Sequence, residues 1–268
     1  MEVMEFIVVI LCGFGIGALS GMFGIGGGGM IVPLLYIVFN LPIVAAASTS
    51  LLTIAPTGIS GSIKHILQKT ASIKTGLVIG GSGALASVGG SLIAGSLPSY
   101  LIIILTVTVI IFSVGMMLRT LLRDKALGTG SELLGSPLRE EVPRRGAAPL
   151  VLPLIIGLIA GGIAGIVGVG GGFIIVPFCV AFLGYPLKKA AGTSLIAISL
   201  IATPAIIAHA LLGHIWWLYG VAIMIGSIPG AQLGSWLIAR LPERPMRFAF
   251  AGLLTLLGVL MLAQEFFL

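Results

Sequence analysis

Two glycine-rich segments carry the residue pattern best suited to chemistry. The residues GIGGGGMIVP at 24–33 return as GVGGGFIIVP at 168–177, 144 positions later and without a gap. Each cluster precedes a short apolar run with a proline, a composition typical of a helix N-terminus. Free N–H groups and the positive end of the helix dipole attract anions at such a place, and glycine lets a ligand approach the backbone.

The pattern therefore predicts a substrate site formed by two glycine triplets: Gly26, Gly27 and Gly28 in the first copy, and Gly170, Gly171 and Gly172 in the second. The alternative is that the triplets serve only tight packing of helices through small residues. That packing role is the better interpretation for the earlier pairs Gly17 and Gly21, and Gly161 and Gly165.

Hydroxyl and imidazole side chains follow both clusters in the same register: Thr49 and Ser50 match Thr193 and Ser194, and His65 matches His209. The hydroxyls either donate to a bound oxyanion or bond back to carbonyls of their own helix. Sixteen residues of helix would separate each histidine from the hydroxyls of its own half by about 24 Å, unless the helix unwinds. A role in gating or proton handling, or anchoring at the membrane surface, is open to the histidines.

The composition sets these residues in a membrane. Hydrophobic residues make up 58% of the 268 positions and charged residues only 8%, and the mean hydropathy is +1.22, whereas soluble domains carry about 25% charged residues. Apolar stretches of about 20 residues recur from end to end. We therefore predict an all-α, polytopic integral membrane protein. Its net charge of +6 lies in loops, which indicates contact with the lipid bilayer rather than with nucleic acid.

The repeat divides the chain into two halves. One ungapped register relates the two over about 80 residues, which indicates duplication. We predict a first transmembrane repeat at 1–120, a cytoplasmic linker at 121–146 and a second transmembrane repeat at 147–268. The linker is polar and contains Gly and Pro, so no chemistry is expected of it.

Charged loops predict how the halves lie in the bilayer. Lysine and arginine concentrate near 64–74 and 119–145 in the first half, and near 184–189 and 240–247 in the second. The positive-inside rule places these loops in the cytoplasm and the N-terminus outside. Equivalent loops have thereby exchanged sides, because 97–99 is uncharged while its counterpart 240–247 is basic. The halves are therefore predicted to be inverted-topology repeats, as in many secondary transporters.

Each half should contain three clear spans after a first, ambiguous segment. The spans are predicted at about 44–63, 76–96 and 99–119, with counterparts at 188–210, 216–239 and 246–266. The first segments, 3–39 and 149–183, contain the glycines near their middles. Each should form two short crossings or a pair of half-helices that enters and returns, because 30–39 and 173–183 are too short to span a core of about 30 Å. Six or ten full crossings follow, depending on the choice.

The residue types that are absent from the spans argue against several classes of function. All eight acidic residues fall in termini, loops or span ends, and a membrane site without carboxylates suits an anionic or neutral solute better than a cation. The sequence contains no metal-ligand cluster, no Ser/His/Asp arrangement and no phosphate-binding loop followed by Lys-Ser or Lys-Thr. We therefore expect a protein that is not an enzyme and needs no metal or other cofactor.

The twice-occurring motif G-x-x-[FV]-G-[IV]-G-G-G-x-[MI]-I-V-P, followed by a proline turn and A-A-x-T-S-L, resembles the sulfite exporter family of the TauE/SafE type. The resemblance covers nearly the whole chain. It implies a permease that moves small sulfur-containing anions, such as sulfite, sulfoacetate or thiosulfate, across the cytoplasmic (inner) membrane, and it implies export. One departure is Phe173 where the first half has Gly29, which suggests that the halves line the site unequally.

These observations predict a secondary transporter that binds a small anion where the glycine breaks meet and works by alternating access. The alternatives are a passive anion channel and a membrane scaffold without transport. A homo-oligomer is left open, with nothing in the sequence to support one.

Overall fold

The computed structural model describes residues 3–94, 96–126, 148–168, 170–238 and 240–267, and their regular structure is helical throughout. The predicted linker at 121–146 lies outside these residues except for its first positions, which continue a helix. The helices are α1 (Val3–Phe23), α2 (Gly28–Pro33), α3 (Ile43–Leu67), α4 (Ile73–Ala94), α5 (Ser99–Ala126), α6 (Ala148–Val167), α7 (Gly172–Phe182), α8 (Leu187–Leu211), α9 (Trp217–Ile238) and α10 (Glu243–Phe267).

The prediction of an all-α membrane protein is confirmed. Seven helices in the described part of the chain are long and apolar enough to cross a membrane. The helix starts also keep the register of the sequence repeat, because α2 to α5 begin 144 positions before α7 to α10. Helices α3 and α8 both have 25 residues, and α4 and α9 both have 22. The repeat therefore extends to the starts of these helices.

The first segment of each half differs from both predicted arrangements. It contains one helix of crossing length, α1 or α6, followed by one short helix, α2 or α7. Helix α1 stays intact past its middle because its small residues pack tightly on α9. Added Cβ atoms at Gly13, Gly17 and Gly21 would meet the backbones of Ile223, Ser227 and Ala231. The helix breaks only at Gly24. The expectation of two short or two half-length helices is therefore wrong for the first helix of the segment.

The short helix is less regular in the first half. The helix begins at Gly28, so Pro33 lies in its second turn and at its end. Proline has no N–H to donate to the preceding turn, and a π-helical segment, Leu34–Val38, follows it. Helix α7 also contains its proline, Pro177, yet continues as α-helix to Phe182.

Helices from opposite halves interleave to form the core. Helix α6 packs on α4 as α1 packs on α9, with Gly157, Gly161 and Gly165 against Ile79, Gly83 and Ser87. The numbers of the contacting residues increase together along both helices of each pair, so α1 runs parallel to α9 and α6 runs parallel to α4. The interpretation of Gly17, Gly21, Gly161 and Gly165 as packing faces is confirmed.

The central helices α3 and α8 run in opposite directions. Gly58 lies against Leu195 and Ser199, whereas His65, further along α3, lies against Gly192, earlier in α8. Both helices continue through their internal prolines, Pro56 and Pro204. Because α3 and α8 occupy equivalent places in the repeat, their antiparallel packing places the end of each helix beside the start of its counterpart.

Candidate functional site

The glycine breaks contain backbone that only glycine adopts easily. Gly24, Gly26 and Gly27 have φ values of 72°, 82° and 80°, and their counterparts Gly168, Gly170 and Gly171 have 74°, 78° and 74°. A side chain would strain the backbone at each position. Gly27 and Gly171 are also the N-caps of α2 and α7. The prediction of helix N-termini at the glycine clusters is therefore confirmed, with the helices starting at Gly28 and Gly172 rather than at 30 and 173.

The carbonyl of each cap accepts two backbone bonds. Met30 N and Ile31 N both donate to Gly27 O at 2.9 Å, and Ile174 N and Ile175 N donate to Gly171 O at 3.0 Å. Within the described residues, the N–H groups of Gly26 to Gly29 and of Gly170 to Gly172 have no backbone acceptor. Each break is therefore a cluster of hydrogen-bond donors at a helix start.

The two breaks meet each other inside the protein. A Cβ on Gly172 would overlap the backbone of Ile25, and a Cβ on Gly29 would overlap the ring of Phe173. Ile54 lies against both Gly26 and Gly170, with its Cγ2 3.2 Å and its Cδ1 2.9 Å from their added Cβ positions. Ile54 is midway along α3, so the breaks come together near the middle of the bundle.

The glycine triplets serve packing as well as any binding role. All six glycines are buried. The side chains of Ile54 and its counterpart Ile198 lie against Gly26, and Ile54 also lies against Gly170. A cavity of about 10 Å³ adjoins Gly171 and Phe173, which is room for about one water molecule. The conformation is thus closed around the breaks.

Each serine of the Thr-Ser pairs bonds the glycine break of the opposite half. Ser194 Oγ donates to Gly24 O at 2.8 Å, and Ser50 Oγ donates to Gly168 O. Neither sequence interpretation included this contact, because the register that relates the halves does not show which groups face each other. The serine hydroxyls hold the two halves together at the breaks.

Each threonine caps a helix of the opposite half. Thr49 Oγ1 accepts a bond from Trp216 N, and Thr193 Oγ1 accepts one from Ser72 N, both at 3.0 Å. Trp216 and Ser72 stand immediately before α9 and α4, where backbone N–H groups lack helical partners. Thr193 also donates to Lys189 O at 2.7 Å. Among the described residues, no corresponding acceptor is seen for the Thr49 proton.

The histidines lie far along their own helices but beside the hydroxyls of the other half. An added Cβ on Gly192, next to Thr193, would be 2.9 Å from the Cβ of His65. This proximity follows from the antiparallel packing of α3 and α8 and was not expected. His65 is 0% exposed and His209 is 1% exposed, so both are buried in protein. The interpretation of the histidines as anchors at the membrane surface is therefore wrong.

The surroundings of the two histidines differ. His65 Nε2 donates to Gly21 O at 3.1 Å, and its Nδ1 lies 2.8 Å from Thr70 Oγ1. His209 Nε2 lies 3.4 Å from Gly165 O, the equivalent carbonyl. Its Nδ1 lies 3.0 Å from Ser48 Oγ and 3.4 Å from His214 Nδ1. The equivalents of Ser48 and His214 in the other half are Gly192 and Thr70.

The polar groups of the core are uncharged or imidazole. Every buried polar side chain in the described residues is serine, threonine or histidine, and these residues include no group of three or more His, Cys, Asp or Glu side chains that would hold a metal ion. Glu5 accepts a bond from Tyr219 Oη at 2.7 Å at the start of α1. The centre therefore offers hydrogen-bond donors without a buried carboxylate.

The profile of the sulfite exporter TauE/SafE family matches residues 9–261. Two similar curated proteins are the probable membrane transporter proteins YunE and YdhB of Bacillus subtilis. YunE is 26% identical over 98% of this chain and 100% of its own, and YdhB is 26% identical over 95% of this chain and 99% of its own.

A probable membrane transporter protein of Methanocaldococcus jannaschii is 25% identical over 95% of this chain and 94% of its own. No solved structure matches the chain significantly. The family match and these relatives support a membrane permease.

Proposed function

The chain belongs to the sulfite exporter TauE/SafE family, and on that premise we propose that it carries a small sulfur-containing anion across the cytoplasmic membrane. The observation that carries the proposal is the meeting of the two glycine breaks in the middle of the bundle. Buried backbone donors at two helix starts, with no carboxylate beside them, attract negative charge. Sulfite, thiosulfate and organosulfonates are small anions whose oxygens can accept hydrogen bonds from such donors. The proposed direction is export, as in the sulfite exporters for which the family is named.

We propose alternating access between inverted repeats as the transport mechanism. The antiparallel packing of α3 and α8 supports this, because two equivalent helices with opposite directions are what an axis in the membrane plane produces. The basic loops support an N-terminus outside the cell. When the halves exchange their conformations about such an axis, a site that opens to one side of the membrane becomes open to the other.

The glycine triplets, Thr49, Ser50, Thr193 and Ser194 are the proposed substrate-binding residues. The serine bonds to Gly168 O and Gly24 O would then be exchanged for substrate contacts as the halves separate. His65 and His209 are proposed to act in gating or proton handling, since each bonds a carbonyl of a helix, α1 or α6, that leads into a glycine break.

Reconstitution in liposomes tests the transport proposal. Purified protein should give saturable uptake of labelled sulfite, thiosulfate or sulfoacetate, and unlabelled anion on the other side should accelerate it by exchange. Vesicles of known orientation then measure the preferred direction. Anion current without counterflow would replace the transporter by a channel, and no flux of any of the three anions would contradict the proposed substrate class.

Replacement of threonine by valine tests the hydroxyls. Thr49→Val should weaken anion binding about tenfold or more, because a bond to a charged acceptor contributes about 1.5–3 kcal/mol. Thr193→Val should have a smaller effect, since the Thr193 proton is already bonded to Lys189 O. Thr203→Val is the matched control, because the Thr203 hydroxyl donates to Ser199 O of its own helix. Titration calorimetry with sulfite that gives the same affinity for all variants would exclude the hydroxyls as ligands.

A further inference from the structure

Ser20 carries a buried hydroxyl that the protein does not satisfy. The residue is 0% exposed, and its Oγ has no hydrogen-bond partner in the described structure. Serines in these helices commonly bond a carbonyl of the preceding turn, as Ser91 does with Ser87 O at 2.9 Å. Buried polar atoms without partners are rare in proteins, so this hydroxyl requires an explanation.

Ser20 lies beside the first glycine break. Its Cβ is 3.7 Å from the position that a Cβ on Gly27 would occupy, and its carbonyl accepts a bond from Gly24 N at 2.8 Å. The unpaired hydroxyl thus stands next to the N-cap of the helical segment Gly28–Val38. A hydroxyl proton and free amide protons at one place call for an acceptor that is not part of the protein.

The second break lacks this arrangement. The counterpart of Ser20 is Ala164, which lines the cavity beside Gly171 and Phe173. The polar side chain of that cavity is Thr106, whose hydroxyl already donates to Ile102 O at 2.6 Å. An unpaired side-chain donor is therefore seen beside Gly27, and none is seen among the described residues that line the cavity at Gly171.

We infer that Ser20 is a substrate-binding residue and that it donates to an oxygen of a small oxyanion held at the first glycine break. The inference rests on the proposed function, and it adds that the two repeats contribute unequally to anion binding. The first break holds the anion through the Ser20 hydroxyl and backbone amides. The second break, where Ala164 replaces the serine, contributes backbone amides without a side-chain hydroxyl.

The test compares variants of the full-length protein in lipid nanodiscs, titrated with sodium sulfite or sodium thiosulfate and followed by calorimetry. Ser20→Ala copies the residue of the second half and should weaken affinity about tenfold or more, because it removes a donor to a charged acceptor. Its thermal midpoint should not fall, since the lost hydroxyl has no partner in the protein. Ser91→Ala is the matched control, because the Ser91 hydroxyl donates to Ser87 O of its own helix, and it should leave affinity unchanged.

Ser20→Thr and Ser20→Val keep the comparison valid if Ser20→Ala folds poorly. These two side chains have nearly the same shape and differ in the hydroxyl, so they share any packing penalty. We expect the valine variant to bind at least tenfold more weakly than the threonine variant. The role of Ser20 in binding would be overturned if wild type and Ser20→Ala had equal affinity and if Ser20→Thr and Ser20→Val also had equal affinity. Failure of the wild-type protein to bind either anion would instead refute the proposed function.

Discussion

Substitution of Gly29 tests whether Phe173 fills the place where the glycine breaks meet. A methyl group on Gly29 would overlap Cε2 and Cζ of the Phe173 ring, and Phe173 is 1% exposed, so the ring has little room to withdraw. Overpacking of a close-packed interior costs about 1–3 kcal/mol. We therefore expect Gly29→Ala to destabilise the protein by that amount. For a chain of this size each kcal/mol lowers the unfolding midpoint by roughly 2–4 °C.

A double-mutant cycle isolates the contact. Leucine at 173 removes the two overlapping ring atoms, so Gly29→Ala should cost much less in the Phe173→Leu background than in the wild type. The expected coupling energy is about 1–3 kcal/mol. Thermal unfolding in detergent, followed by near-ultraviolet circular dichroism, measures all four proteins.

Gly15→Ala is the control for a methyl group added to a helix in open space. An added Cβ there meets nothing within 4 Å, and alanine favours helix over glycine by about 0.5–1 kcal/mol. Its midpoint should stay level or rise. If Gly29→Ala is equally destabilising with phenylalanine and with leucine at 173, the ring does not occupy the junction and this reasoning fails.

Two further predictions concern orientation and pH. Pro98 and Pro242 are equivalent and exposed. In a background without Cys12 and Cys179, Pro98→Cys should react with an impermeant maleimide from outside the cell, and Pro242→Cys should react only from the cytoplasm. Labelling of both from one side would contradict inverted repeats. His209→Gln should flatten the pH profile of transport, because the amide can still donate to Gly165 O but cannot take up a proton as imidazole does. An unaltered profile would remove His209 from proton handling.

Much of the helix pattern followed from local sequence. Apolar runs of about 20 residues have few ways to satisfy their backbone in lipid other than helices, so the spans near 44–63 and 188–210 correspond to α3 and α8. Glycine with positive φ marks a break because other residues are strained there, which is why the helix starts at Gly28 and Gly172 could be located closely. The length of α1 could not be judged in this way, because its continuity depends on the fit of Gly17 against Ser227 of a distant helix.

The partners of the polar side chains could not be read from the repeat. Register relates Ser50 to Ser194, but it does not reveal that each one bonds the glycine break of the other half. It also places His65 far from Thr49 and gives no sign that antiparallel packing puts it beside Thr193. Ser20 was missed for the same reason, since a serine between glycines resembles any other small packing residue until its lack of a partner is seen.

The sequence by itself determined that the protein lies in a membrane, that its chain is duplicated and where its helices break. Hydropathy, register and the conformational freedom of glycine reveal these features, and each is a local property of the sequence. Only the tertiary structure decided that the breaks meet, with Phe173 lying over Gly29, and that the hydroxyls of one half hold the loops of the other. Such contacts join residues more than a hundred positions apart, and they depend on the relative direction and depth of packed helices. Those quantities arise from the mutual fit of surfaces rather than from any single segment.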